Sequence, residues 1–219
     1  MLQVLGTLYA VILGLVVLDS RAKFETAERI ILNESQSLLV VSELSEQFKN
    51  DGRGDAVQDL VEDYIHEVIT NDWRFMDDNI LNYKAIHILR DLIDEVKKIT
   101  PITENEKQLF PTLIQESLSV WKCRVARVNQ AEIGVPRIEW VMLIIGGVIT
   151  IVFTYFFRIE NQKIQSVMTG LFALIIIMNL YMVLLFAEPY TGDFQASKKP
   201  MMTIQEVMRG TYFHNINTK

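Results

Sequence analysis

The sequence predicts an all-α membrane protein with three transmembrane helices, a cytoplasmic helical bundle inserted between the first and the second, and a first helix that continues as a long stalk. Three observations predict it. The runs 4–18, 140–157 and 167–187 hold almost no ionisable groups, and a helix needs about 20 such residues to cross about 30 Å of hydrocarbon. Between the first two runs lies a polar insert, 19–138, with 15 Lys/Arg against 22 Asp/Glu. No Pro or Gly interrupts the chain between Gly14 and Gly52. The expected division is 1–18 as the first span, 19–138 as the cytoplasmic domain, 139–157 as the second span, 158–166 as an external connector, 167–187 as the third span and 188–219 as a cytoplasmic tail.

Only Met1, Leu2 and Gln3 precede the first apolar run, with no basic region before it and no small-x-small cleavage pattern after it. It therefore reads as a retained span rather than a secretory signal. Beyond it, Phe24, Ala27, Ile31, Leu38, Val41 and Phe48 keep a three-four spacing, with Glu34 and Ser45 filling the remaining steps. That spacing predicts one helix from residue 3 to about 49, packed along its cytoplasmic half. Asn50 to Gly54 reads as a turn and Asp55 as the N-cap of a helix bearing Val57, Leu60, Val61, Tyr64, Ile65 and Val68 on one stripe. A third helix is predicted over 79–99, with Ile86, Leu89, Leu92, Ile93 and Val96 inward and Pro101 as its stop. Thr103 with Glu106 makes a capping box, and Pro111 divides a short helix from a longer one over 111–130. The longer one turns Leu113, Ile114, Leu118, Trp121, Val125 and Val128 inward.

Orientation follows from Lys/Arg asymmetry. Arg21, Lys23, Arg29, Lys122, Arg124, Arg127 and Arg137 flank the insert's membrane junctions, whereas the connector 158–166 has only Arg158 and Lys163. The positive-inside bias puts the insert and the tail in the cytoplasm and the amino terminus outside. The acidic balance of the insert speaks against a nucleic-acid partner.

Catalytic chemistry is not visible. The single cysteine, Cys123, gives neither a disulfide framework nor a metal-ligand set, and no nucleophile elbow, phosphate loop or HExxH occurs. His87 with Asp91 supplies two ligands where zinc needs three or four. Asp72, Asp77, Asp78 and Asn79 around Trp73 read as a solvated loop, with a divalent cation in an assembled ring as the alternative. The chain is therefore not read as an enzyme, and no cofactor is expected.

Inside the apolar runs the informative residues are small or weakly polar: Thr7, Gly14, Gly146, Gly147, Thr150, Thr154, Gly170 and Asn179. They suit close helix contact, and the same types line narrow aqueous paths. No Asp, Glu, Lys or Arg sits at the centre of any run, which argues against a proton-driven carrier. Thr7, Val11 and Gly14 follow one face of the first run and are the candidate constriction. Thr150 and Thr154 are second-choice lining residues, and Glu188 and Asp193 are candidates for a cytoplasmic mouth attracting cations.

The stretch LLFAEPYTGDFQASKKPM, Leu184 to Met201, with Pro189, Tyr190, Thr191, Gly192, Asp193, Phe194, Ser197 and Pro200, resembles the ending of a bacterial bestrophin-like membrane family (domain of unknown function 4239). GTLYAVILGLVV, Gly6 to Val17, followed by the helix of Phe24, Glu25, Ala27 and Glu34, is similar to its beginning. Members usually carry another span upstream, so this sequence starts at what would be their second. The resemblance implies the bacterial cytoplasmic (inner) membrane, and a distant relation to bestrophins, pentameric anion channels whose membrane helices continue into a cytosolic body. Neither the bestrophin aromatic neck nor its calcium clasp maps onto residues here. The expected function is a homo-oligomeric ion channel of unassigned selectivity, a pentamer if the relation extends so far, with the lipid bilayer and a permeating ion as partners. The other reading is a non-conducting membrane sensor or scaffold whose acidic domain binds a protein.

Overall fold

The computed structural model describes residues 2–77, 80–132, 134–156, 162–191 and 194–210. All regular structure among them is helical: α1 (Leu2–Ser45), a 3-10 turn (Glu46–Asp51), α2 (Arg53–Glu67), a π-helical turn (Val68–Asp72), α3 (Trp73–Asp77), α4 (Tyr83–Lys98), α5 (Glu104–Glu132), α6 (Arg137–Tyr155), α7 (Gln162–Ala187) and α8 (Lys199–Met208). The chain forms two compact units, one from Met1–Glu25 with Ile133–Phe194, the other from Thr26–Glu132 with Gln195–Lys219. The protein is thus an all-α membrane protein with a long amino-terminal helix, a large helical bundle and at least two helices fit to span a bilayer.

In the first unit, α6 and α7 are long and apolar enough to cross a membrane, over Arg137–Thr154 and Gln162–Ala187. They are not the core helices of a soluble domain, because most of their apolar surface lies outward: Val141, Met142, Ile145, Val148, Leu171, Ile175, Met178 and Tyr181 are all exposed. Lipid is the solvent such faces require. The last helix stops at Ala187, where Pro189 bars Glu188 from helical geometry.

In the second unit, Ala27, Ile31, Glu34, Leu38, Val41 and Ser45 of α1 are all buried, as their spacing predicts. The predicted stalk ends early. α1 stops at Ser45, and Phe48 keeps its buried place from within the 3-10 turn at φ −110°, ψ 41°. The returning chain packs closely on this end: a Cβ on Gly54 would overlap the Ser45 carbonyl oxygen, so only glycine fits there. Asp55 is not the N-cap of α2, since Gly52 holds that place at φ 72° and Asp55 falls in the first turn, favourably for the helix dipole.

Two more boundaries differ. The helix predicted over 79–99 is confined to Tyr83–Lys98, capped by the Asn82 side chain, which accepts from the Ala85 N–H at 3.2 Å. Pro111 does not divide α5. It is exposed, so the carbonyl it leaves unbonded can reach water, while Phe110 meets Phe48 edge-on at 6.2 Å and Leu113 is fully buried, fixing the chain on both sides. The capping box is present in both directions: Glu106 N–H donates to Thr103 Oγ1 at 3.2 Å, and Thr103 N–H donates to Glu106 Oε2 at 3.2 Å.

Candidate functional site

The candidate constriction residues lie on α1 in the first unit, and what holds α1 there explains what it leaves open. At 3.6 residues per turn, Tyr9, Leu13, Val16 and Ser20 share one face, and Thr7, Val11, Gly14 and Leu18 share the opposite one. The first face is seated. Tyr9 and Leu13 join Leu143, Ile176 and Val183 in one core, with Val16, Val17, Trp140 and Leu180 against it. The Tyr9 ring lies on Gly146 and Gly147 of α6, where an added Cβ would come within 2.7 Å of the ring and 2.9 Å of its hydroxyl. The hydroxyl donates to the Leu143 carbonyl at 3.0 Å. The glycine pair is therefore a seat for an aromatic ring, which lipid alone would not provide.

The opposite face is exposed. Thr7 and Gly14 are exposed, Val11 is 56% exposed and Leu18 64%. On its shoulder, Gly6, Thr7, Ala10 and Gly14 line a cleft with Phe172, Ile175 and Asn179 of α7.

The second-choice residues are placed differently. Thr150 donates its hydroxyl to Gly146 O at 2.6 Å, and Thr154 donates to Ile151 O at 2.7 Å. Thr154 Oγ1 also lies 3.2 Å from Thr169 Oγ1, a contact joining α6 to α7. Asn179 bonds its own helix, donating to Ile175 O at 2.9 Å. Glu188 is exposed and accepts from the Thr191 hydroxyl at 2.7 Å across the turn that follows α7. Asp193 and Gly192 lie outside the described residues. Phe24, Phe186 and Phe194 stack on one another with centroids 5.1–5.6 Å apart, beside the buried Pro189 and Tyr190.

The second unit holds a cluster that sequence reasoning missed. Arg127, fully buried, grips Glu34 with two bonds, Nε to Oε2 at 2.8 Å and Nη2 to Oε1 at 3.0 Å, and gives Nη1 to Asp72. Arg124 also donates to Asp72, and the Tyr64 hydroxyl donates to Glu34 Oε1 at 2.5 Å. Two acids meet two guanidiniums, so the buried charge sums to zero. Trp73 lies beside Arg127, 5.5 Å from ring centroid to guanidinium carbon, and donates its indole N–H to Ala196 O at 3.0 Å. Asp72 is thus not in a solvated loop, as its neighbours in sequence suggest. The π-helical turn Val68–Asp72 rotates the residues after it, so that Asp72, Trp73 and Met76 fall on the buried side. Asp77's side chain and Asp78 and Asn79 are outside the described residues.

Burial pushes the Asp72 carboxyl up, but the Arg127 and Arg124 guanidiniums outweigh it and hold it below the ordinary aspartate value of 3.8. Burial first, then the Glu34 charge, drives the Tyr64 phenol well above its usual range. Among the described residues no group of three or more His, Cys, Asp or Glu is placed to hold a metal ion. His66 and His87 are both exposed.

Comparison with known proteins agrees with this architecture. A model of the Bestrophin-like domain matches residues 1–201. No curated protein matches the chain in sequence. Among solved structures, a membrane protein variant superposes with a TM-score of 0.72 at 9% identity, over 96% of this chain and 86% of that one. Two single-residue variants of a bacterial bestrophin homologue from Klebsiella pneumoniae give TM-scores of 0.71 and 0.70 at 9% and 11% identity. Each spans 97% of this chain, and 85% and 87% of the respective homologue. At these identities the likeness is one of fold. The family-wide match over most of the sequence carries more: this chain belongs to the Bestrophin-like family.

Proposed function

We propose that the chain is the subunit of a homo-oligomeric ion channel, with three spans per copy, the amino terminus outside and the bundle and tail in the cytoplasm of a bacterial inner membrane. The observation that carries this reading is the two-faced α1. Its Tyr9 face is locked to α6, and its Thr7, Val11, Gly14 face is uncharged and exposed. Three spans cannot enclose a pathway, so conduction requires several copies around an axis. Five is the number that the bestrophin resemblance implies. In that assembly the hydroxyl of Thr7 and the side chain of Val11 form the constriction, and hydroxyls, backbone dipoles and dewetting control passage in place of fixed charge. Thr150 and Thr154 contribute only where α6 reaches the axis. Glu188 and Asp193, repeated around the inner mouth, concentrate cations.

Purified protein in planar bilayers tests the reading. Discrete currents that change on Thr7→Ala or Val11→Ala substitution are expected, with cation selectivity reduced in an E188Q/D193N variant. A verified oligomer that stays silent across pH, calcium and voltage would shift the assignment to a membrane scaffold whose acidic bundle binds a protein.

A further inference from the structure

In the second unit the helices run round the bundle in the order α1, α2, α4, α5. α1 meets α2 through Gln58, which donates to Ser42 O at 3.2 Å, and through Tyr64 on Glu34. α2 meets α4, where Arg53 pairs with Glu95 at 3.1 Å, and α4 packs on α5. α5 closes the ring on α1, where Ser37 donates to Glu116 at 2.8 Å. In such a ring the α1–α2 seam and the α4–α5 seam lie on opposite sides.

The two seams are opposite in character. The α1–α2 seam, flanked by Val207 and Met208 of α8, opens into a groove bearing four carboxylates, Glu43, Glu46, Asp59 and Glu62. Arg209 answers Glu62 at 2.6 Å, leaving the other three without an ion-pair partner among the described residues. The α4–α5 seam opens into a groove with two cations, Arg90 and Lys97, against one carboxylate, Asp94, which pairs with Lys97 at 3.0 Å so that the groove keeps one net positive charge, and an apolar floor of Ile93, Leu118 and Trp121. That floor continues to Val125. Leu118 and Val125, which the helical spacing puts inward, are 41% and 43% exposed. A subunit with two different complementary faces on opposite sides joins copies head to tail, and head-to-tail contacts close into rings.

We propose that the α4–α5 groove of one copy receives the acidic α1–α2 face of a second copy of this chain, Arg90 and Lys97 facing Glu43, Glu46 and Asp59, with Leu118, Trp121 and Val125 covered between them. The proposal rests on the homo-oligomer reading above and adds which surfaces meet. Charge complementarity of this kind fixes partner and register more than raw affinity.

The test uses the full chain in detergent or lipid with Cys123→Ser as background and a flexible bis-maleimide crosslinker. Asp59→Cys and Lys97→Cys are both at exposed positions. Each variant alone should give no covalent dimer. Co-expressed, the two should give dimers only, and the D59C/K97C double variant should give a ladder ending at the size of the native assembly. Self-crosslinking of either single variant, or no crosslink in a verified oligomer, would overturn the proposal and leave the channel reading intact. A monomeric wild-type protein would remove the homo-oligomer reading itself, and the proposal with it.

Discussion

Replacing Arg127 with Met tests whether the buried cluster behaves as four coupled charges. The substitution removes two charge-assisted bonds to Glu34 and one to Asp72 while leaving apolar volume in place. Asp72 keeps Arg124, but Glu34 keeps only the Tyr64 hydroxyl. Leaving one member of a buried pair unanswered costs about 3–5 kcal/mol. The alternative is for the orphaned acid to take up a proton, and from an ordinary glutamate value of about 4.3 that costs roughly 3.7 kcal/mol at pH 7. The cheaper route sets the loss, so the variant should be about 3–4 kcal/mol less stable at pH 7. At about 2–4 °C per kcal/mol for a chain of this length, its apparent melting temperature should fall by about 10 °C.

The pH dependence is the sharper part of that prediction. At pH 5 protonating the same carboxyl costs only roughly 1 kcal/mol, so the gap between variant and wild type should narrow to a few degrees. The wild type behaves in the opposite sense. Asp72 is held below its ordinary value, so its contribution is complete above the ordinary aspartate range near pH 4 and is lost only as pH falls through its depressed native value. Thermal unfolding followed by tryptophan fluorescence reads both, because Trp73 lies against Arg127. An E34Q/R127M variant, with no charge left over at that end of the cluster, should recover much of the loss at pH 7. The same deficit at pH 5 and pH 7, or a double variant weaker than the single, would refute the reasoning.

Two further predictions concern the first unit and the orientation. Gly146→Ala places a Cβ 2.7 Å from the Tyr9 ring and should cost about 1–3 kcal/mol of overpacking. Tyr9→Phe, which loses only the bond to Leu143 O, should cost about 1 kcal/mol; a Tyr9→Phe loss as large as that of Gly146→Ala would mean that the hydroxyl, not the ring seat, fixes α1. In intact cells, an impermeant thiol reagent should label a cysteine placed at Gln162 and spare one at Arg53, both in a Cys123→Ser background. The reverse pattern would overturn the assignment of the bundle to the cytoplasm.

What was legible in the sequence was local. The stripe Ala27, Ile31, Glu34, Leu38, Val41 follows from one helical period, the Thr103–Glu106 box from two side chains three residues apart, and the stop at Ala187 from the proline two residues on. What was not legible depended on partners far along the chain. Arg127 meets Glu34 and Asp72 across separations of 93 and 55 residues, and no spacing rule joins them. Asp72 was further hidden by the π-helical turn, which shifts the phase that a sequence reading extrapolates. Arg124 and Arg127 also entered the charge count for orientation, although both are buried and paired in the fold. That does not remove them from the count, since the positive-inside bias acts as the chain inserts, before the bundle closes on them. On α1 the period separated two faces, but only the Gly146–Gly147 seat reveals which of them is occupied.

The cluster's composition bears on why a bundle would bury four charges at all. Desolvating two ion pairs gains little over packing apolar side chains in the same volume, so stability alone does not call for them. Their members are spread over α1, the π-helical turn and α5, with Tyr64 of α2 completing the set. Sliding any one helix by a turn would leave a carboxylate or guanidinium buried and unanswered, at several kcal/mol. A set of apolar residues would tolerate such a slip, because Leu or Met contacts are interchangeable along a stripe. The cluster therefore penalises wrong registers more than it rewards the right one. The E34Q/R127M variant separates these two effects: it should recover melting temperature relative to R127M yet unfold over a broader range and yield faster to proteolysis, because neighbouring registers are no longer excluded. A transition as sharp as that of the wild type, with equal protease resistance, would show that shape complementarity along α1 and α5 holds the register without the charges.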